Sequence, residues 1–243
     1  MKRFLILFVV LFTAVLFVYC GRNKEVELEI IKEYPLKVLE PSGLAMSYDR
    51  NNLWSVSDQN STVYLLSLNG TIQRNFTVNA GDLEGIDVVS DTSIAVVAER
   101  TREIIFLNND GKEYLRKKIL NDDKNNSGLE GIAVNRRSGH IFLVKEKHPK
   151  LLIECNNNLS ELTREEINFA DDLSGLDFQE GSDDLWIISD ENKLIAKCST
   201  SGRIKEKFKI KIDQIEGIAV DAKSKVIYLV SDKEEKLYIL GMK

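Results

Sequence analysis

Acidic side chains recur in this sequence at two fixed offsets from a repeated glycine. Immediately before that glycine stand Ser42, Glu84, Glu130, Ser174 and Glu216; about fifteen residues after it stand Asp58, Glu99, Glu146, Asp190 and Asp232. The second set is acidic at all five positions, although only 38 of the 243 residues are Asp or Glu. Such carboxylates, gathered in one place, repel: two charges roughly 5 Å apart cost about 3 kcal/mol at an effective dielectric near 20. Proton uptake, pairing with Lys or Arg, or capture of a cation each relieves that cost. All-oxygen donors with flexible geometry suit Ca²⁺ better than a softer metal. In the cation reading Glu84, Glu130 and Glu216 are the inner ligands, and Glu99, Glu146 and Asp232 are outer or partial ones. Two alternatives stay open. Arg100, Lys147 and Lys233 directly follow three of the acids and offer a salt-bridged ring; acids at strand ends also cap loop N–H groups.

The elements that must position these groups follow from the glycines themselves. Pro41-Ser42-Gly43-Leu44, Leu83-Glu84-Gly85-Ile86, Leu129-Glu130-Gly131-Ile132, Leu173-Ser174-Gly175-Leu176 and Ile215-Glu216-Gly217-Ile218 are spaced 42, 46, 44 and 42 residues apart. That period is one four-stranded propeller blade. The first period reads as strands at 43–48, 53–58, 62–68 and 71–78, with Asn69-Gly70 as a hairpin signal. Trp54 and Trp186 hold matching places, as large side chains packed between blades would. The last period lacks its outer strand, and the β-rich segment 26–39 at the other end of the chain supplies one. The expected fold is an all-β, five-bladed β-propeller with four-stranded blades over residues 28–243, its last blade closed by the N-terminal strand.

Topology then gathers the acids. The innermost strand leaves one face and the second strand returns to it, so both sets border one channel mouth. The glycine is expected where the chain crosses to the crowded axis, through close approach and unusual dihedrals. Asp87 and Asp177, two residues after the glycine where other blades carry Ala45, Ala133 and Ala219, are expected to hydrogen-bond between blades. They stay outside the ligand set.

Ahead of the propeller, Lys2 and Arg3 precede an apolar run from Phe4 to Tyr19, then Cys20-Gly21. This pattern is that of a bacterial lipoprotein signal over residues 1–20, with Cys20 as the lipidated residue and 21–27 as linker. Tyr19 stands where a small residue is usual, so an uncleaved signal anchor is the alternative. Either way the folded part lies outside the cytoplasm, in the cell envelope, tethered to a membrane. A net charge of −5 removes the electrostatic drive for nucleic acid. Two histidines argue against a His-built metal centre, and Cys155 and Cys198, expected on opposite sheet faces, read as buried free thiols.

The Leu-Ser-Gly-Leu and Leu-Glu-Gly-Ile motifs, with Val97-Ala98-Glu99-Arg100, Val144-Lys145-Glu146-Lys147 and Ile188-Ser189-Asp190-Glu191, resemble the SdiA-regulated (YjiK/CarP) family. The likeness spans about residues 28–243. It implies a five-bladed extracytoplasmic propeller with a Ca²⁺ site, linked to calcium handling or stress tolerance, and brings no established reaction. Glu84, Glu130 and Glu216 carry over as the matching Glu-Gly-Ile positions. Three functions compete. The first is a non-catalytic calcium-binding sensor or scaffold on the membrane. The second is a Ca²⁺-dependent hydrolase of phytase or lactonase type, kept open by Arg100, Arg102, Lys145 and Lys147. The third is a module for an unidentified protein partner.

Overall fold

The computed structural model describes residues 26–121 and 127–242. The signal segment 1–20, Cys20 and residues 21–25 of the linker lie outside the described residues. Five four-stranded antiparallel sheets are arranged as a five-bladed β-propeller. Blade one comprises β3 (Pro41–Met46), β4 (Asn52–Ser57), β5 (Thr62–Ser67) and β6 (Ile72–Thr77). Blade two comprises β7 (Leu83–Ser90), β8 (Ser93–Ala98), β9 (Glu103–Asn108) and β10 (Glu113–Lys118). Blade three comprises β11 (Leu129–Asn135), β12 (His140–Lys145), β13 (Leu151–Cys155) and β14 (Glu161–Glu166). Blade four comprises β15 (Gly175–Gln179), β16 (Asp184–Ser189), β17 (Leu194–Ser199) and β18 (Ile204–Lys209). Blade five takes β19 (Ile215–Asp221), β20 (Val226–Ser231) and β21 (Lys236–Gly241) from the end of the chain.

Its outer strand is β2 (Glu29–Pro35), paired antiparallel with β21 from Glu29↔Gly241 to Pro35↔Lys236. The expected closure by the N-terminal strand is therefore present. The chain ties in once more than expected: β1 (Val26–Glu27) adds in parallel to the outer edge of β18 in blade four. One short segment thus straps two neighbouring blades across the point where the ring closes.

The sequence dictates an inside-to-outside gradient within each blade. The second strands are continuous apolar runs, such as Ser93-Ile-Ala-Val-Val-Ala98, fully buried on both faces. The outer strands are charged, Glu113-Tyr-Leu-Arg-Lys-Lys118 and Glu161-Leu-Thr-Arg-Glu-Glu166, and largely exposed. There is no single core. Five apolar clusters each fill one gap between adjacent blades: Trp54 with Val88 and Ile105, or Trp186 with Phe208 and Ile218. Both tryptophans thus pack between blades, as their matching places predicted.

Cys155 and Cys198 are buried free thiols. They hold equivalent positions in the third strands of their blades, each facing the preceding blade, and so lie in different inter-blade clusters. This corrects the expectation of opposite faces. β13 and β17 begin at Leu151 and Leu194 and pair without a slip against the second strand up to Ile141↔Cys155 and Leu185↔Cys198, so the two cysteines fall at the same place on the same face.

Candidate functional site

The turn that leads each second strand out to the rim sets the site. In four blades the N–H of the strand-end acid donates to the carbonyl of the residue three before the glycine. The donor–acceptor distances are 3.4 Å for Asp58 to Glu40, 2.9 Å for Glu99 to Asp82, 3.2 Å for Glu146 to Gly128 and 2.9 Å for Asp232 to Gln214. In blade four the Asp190 N–H donates instead to Asp172 Oδ2, at 3.1 Å. The two acidic sets are thereby locked beside each other at one end of every blade. All ten residues line one cavity of about 310 Å³.

That cavity also takes in Asp172 and Glu191, so ten carboxyl groups face it, and Lys147 is the only cation among the described lining residues. Asp172 was missed in the sequence, although a third column carried the signal. Three residues before the glycine stand Glu40, Asp82, Gly128, Asp172 and Gln214, acidic in three blades of five. Glu191 simply follows Asp190. Below the glutamates the channel narrows to about 10 Å³, lined by the glycines and their apolar neighbours, such as Leu44 and Ile86. The site is a funnel that tapers to a narrow end.

The glycine ring explains that narrowing. A Cβ on Gly43 would lie 2.7 Å from the Glu84 carbonyl and 2.8 Å from the Gly85 Cα of the next blade. One on Gly217 would strike the Ser42 carbonyl of blade one, completing the circle. None of the five glycines takes a positive φ, whereas the hairpin glycine Gly70 does, at 80°. Close approach alone is therefore the requirement, and the expected unusual dihedral is absent.

Electrostatics set the state of the acids. Burial, and then the charge of Asp58, push Glu84 up to about 8, against a hydrogen bond from Ser42. Burial raises Glu130 well above the usual range, with Glu84, Glu99, Glu146 and Glu216 adding repulsion. Glu216 is raised well above it too, by burial and then by Glu84 and Asp190. Asp58 rises to about 7 through burial and a hydrogen bond with Glu40. Burial also raises Glu99, Asp190 and Asp232. One oxygen of Asp58, Oδ1, is buried with no hydrogen-bond partner among the described residues.

Within the funnel the acids are not evenly spread. Glu99, Glu130 and Glu146 each offer an oxygen, and these oxygens lie within 4.8 Å of one another. Glu99 Oε1 is oriented by the Gly128 N–H at 2.9 Å. Gly128 is itself pressed on Glu99, since a Cβ there would meet Glu99 Cγ at 2.7 Å. Glu84 and Glu216 share the cavity but not this triad, and Asp232 lies with Asp190 in the outer set. The basic residues mostly turn elsewhere. Arg100 pairs with Asp82 and Lys233 with Asp213, outside the funnel. Lys147 holds its own Glu146 at 2.7 Å and Glu191 of blade four at 2.7 Å. Among the described residues a cross-blade ion pair on the funnel forms only there.

At the opposite end of the channel, Asp87 and Asp177 behave as expected. Asp87 Oδ2 accepts the Val134 N–H of blade three at 2.6 Å, and Asp177 Oδ2 accepts the Val220 N–H of blade five at 2.7 Å. They are staples between blades.

Comparison with known structures agrees on the fold. A glutaminyl cyclase from Myxococcus xanthus aligns with a TM-score of 0.70 at 12% identity, over 89% of this chain and 97% of that one. A chain of a nidogen/laminin complex aligns with a TM-score of 0.62 at 15% identity, over 83% and 76%. At such identities the likeness is one of architecture alone. The sequence family is more specific, because the model of SdiA-regulated proteins matches residues 23–238. With five blades built on that repeat, the chain belongs to the SdiA-regulated family.

Proposed function

We propose that the acidic funnel binds a divalent cation, Ca²⁺, and that the protein acts as a non-catalytic calcium-binding propeller. In this reading it is a sensor or scaffold in the cell envelope, held at a membrane through Cys20. The observation that carries the reading is the excess of ten carboxyl groups over one ammonium group among the described residues lining a single funnel. Protons alone relieve that repulsion only while Glu84 and its neighbours stay protonated, and a divalent cation relieves it with them ionised. The donor set fits. It is all oxygen, it holds a three-glutamate cluster, and Asp58 Oδ1 is an acceptor without a donor. Ca²⁺ takes about 6–8 oxygens at roughly 2.3–2.6 Å in adaptable geometry.

Glu99, Glu130 and Glu146 would hold the ion first, with Glu84 and Glu216 supplying charge from the inner ring. Asp232 contributes from further out. When bound, the ion would supply positive charge to offset the carboxylates, and the glycine ring below leaves a void of only about 10 Å³. A hydrolase acting on phosphate esters would also need convergent cations for the substrate. Lys147 is held by Glu146 and Glu191, and Arg100 by Asp82, so the funnel favours ion binding over that chemistry.

Calorimetry with the full chain tests the proposal. Ca²⁺ should bind the unaltered protein, and Glu99→Gln/Glu130→Gln/Glu146→Gln should weaken binding at least about a hundredfold, roughly 3 kcal/mol. Glu84→Gln/Glu216→Gln should weaken it less. Unchanged binding in the first variant rejects the ligand set. For the tether, blocking signal peptidase II in the producing cell should leave a larger precursor; no change of mobility rejects lipidation at Cys20.

A further inference from the structure

The short tether limits which part of the propeller can meet a membrane. Five residues, 21–25, separate Cys20 from Val26. Those six steps span at most about 22 Å, even fully extended. Val26 pairs with Phe208 on the outer edge of β18. With Cys20 at the membrane, the rim at blade four is therefore the part kept within reach of lipid.

That rim is basic. From Arg203 to Lys211 every second residue is Lys or Arg, five of nine, and one residue, Glu206, is acidic. Ile204, Phe208 and Ile210, between the basic residues, pack into the clusters between blades. Arg203, Lys205, Lys209 and Lys211 are exposed, and Lys207 is half-buried. Lys205 pairs with Asp184. Arg203 and Lys207 form no ion pair among the described residues, and the Lys207 ammonium lies 5.6 Å from the centre of the Phe169 ring. One residue beyond β1 the chain enters β2, where the adjacent Ile30 and Ile31 are 42% and 52% exposed. Blade two has a similar rim, with Lys112, Lys117 and Lys118 around an exposed Tyr114 and Leu115. Reach separates the two. Strands about 4.8 Å apart set an outer strand at least about 14 Å from the axis, so those of blades two and four stand more than about 25 Å apart.

We propose that the outer strand of blade four, together with Ile30 and Ile31, rests on an anionic lipid surface. Basic side chains are drawn to acidic headgroups, and the isoleucines bury at the boundary between headgroup and acyl chain. The ring then stands on its rim. The acidic funnel, which anionic lipid repels, opens sideways to solvent. This inference rests on the membrane tether of the proposed function and adds the face that meets the lipid.

The test uses the full chain, reconstituted on vesicles of phosphatidylcholine alone or mixed with phosphatidylglycerol and labelled with a membrane-impermeant amine reagent. Mass spectrometry should show Lys207, Lys209 and Lys211 labelled at least about fivefold more slowly when phosphatidylglycerol is present, a contrast that high salt removes. Lys112 should label equally on both. A polarity-sensitive dye on Ile31→Cys should shift to the blue on the anionic vesicles, and the same dye on Tyr114→Cys should not. Equal labelling of the three lysines on both kinds of vesicle overturns the proposal, as does slowing that extends to Lys112 or a dye shift at position 114 alone. A chain that floats with both vesicles but lacks the contrast rejects the docking face and keeps the tether; one that floats with neither rejects both.

Discussion

A carboxyl group whose pKa folding has raised weakens the fold once it ionises, and Glu84 and Asp58 are the clearest cases. Glu84 moves from 4.5 to about 8 and Asp58 from 3.8 to about 7, so between those limits the native state holds protons that the unfolded chain has lost. Stability of the metal-free protein should therefore be highest near the lower limits and fall as pH rises toward 8. Thermal melts in chelator should show a lower Tm at pH 8 than at pH 5, and saturating Ca²⁺ should remove most of the difference. A chelated protein that gains stability over that interval contradicts the account. The same logic gives Glu130→Gln opposite effects: a metal-free protein stabilised by about 1–2 kcal/mol and a weakened calcium affinity. A variant destabilised in both states would mark Glu130 as structural. At this scale the two acidic columns were legible because the repeat fixes their positions. That Glu99, Glu130 and Glu146 meet was not, since spacing places a residue on the ring but says nothing of how far its side chain reaches. Asp172 was hidden because its column includes Gly128 and Gln214 and so does not read as acidic.

Among the elements, the innermost strands hold the molecule to its narrow channel. Gly217→Ala places a methyl group against the Ser42 carbonyl of a different blade, where neither backbone can yield alone. Overpacking of this kind costs about 1–3 kcal/mol, and urea titration should show it as a lower midpoint with an unchanged slope. The substitution Gly181→Ala is the informative contrast. Gly181 has open space where its Cβ would stand but a φ of 92°, so its cost is one of backbone strain with no contact between blades. Strand count and strand order followed from the glycine period and from the missing outer strand of the last blade. The reason for the glycine did not follow, because sequence cannot separate a position that needs an unusual dihedral from one that needs proximity. Nor did the equivalence of Cys155 and Cys198, since Leu159 holds the left-handed turn position that Gly202 marks in blade four and does not read as a turn residue.

The whole molecule is a ring closed by its first strands, and its stability is distributed over five similar interfaces. Burial pushes Cys155 up to about 11 and Cys198 up to about 12, each within a different interface. Both thiols should resist a thiol reagent at pH 8 until the ring opens, and then react together. Removing residues 1–35 takes away β1 and β2, exposes the edge of β21, and should make the thiols reactive under native conditions. If they stay protected, the N-terminal strand is not what closes the ring. The family could be recognised from its repeats because a closed ring forces each blade to obey the same rules. The proposed function rests on the funnel, and metal binding there can be observed directly. Crystals of the full-length protein grown with Ca²⁺, or with Mn²⁺ for its anomalous signal, should show a metal peak among the carboxylates of Glu99, Glu130 and Glu146. A funnel containing only water at saturating metal, or a peak held elsewhere on the molecule, would contradict the account.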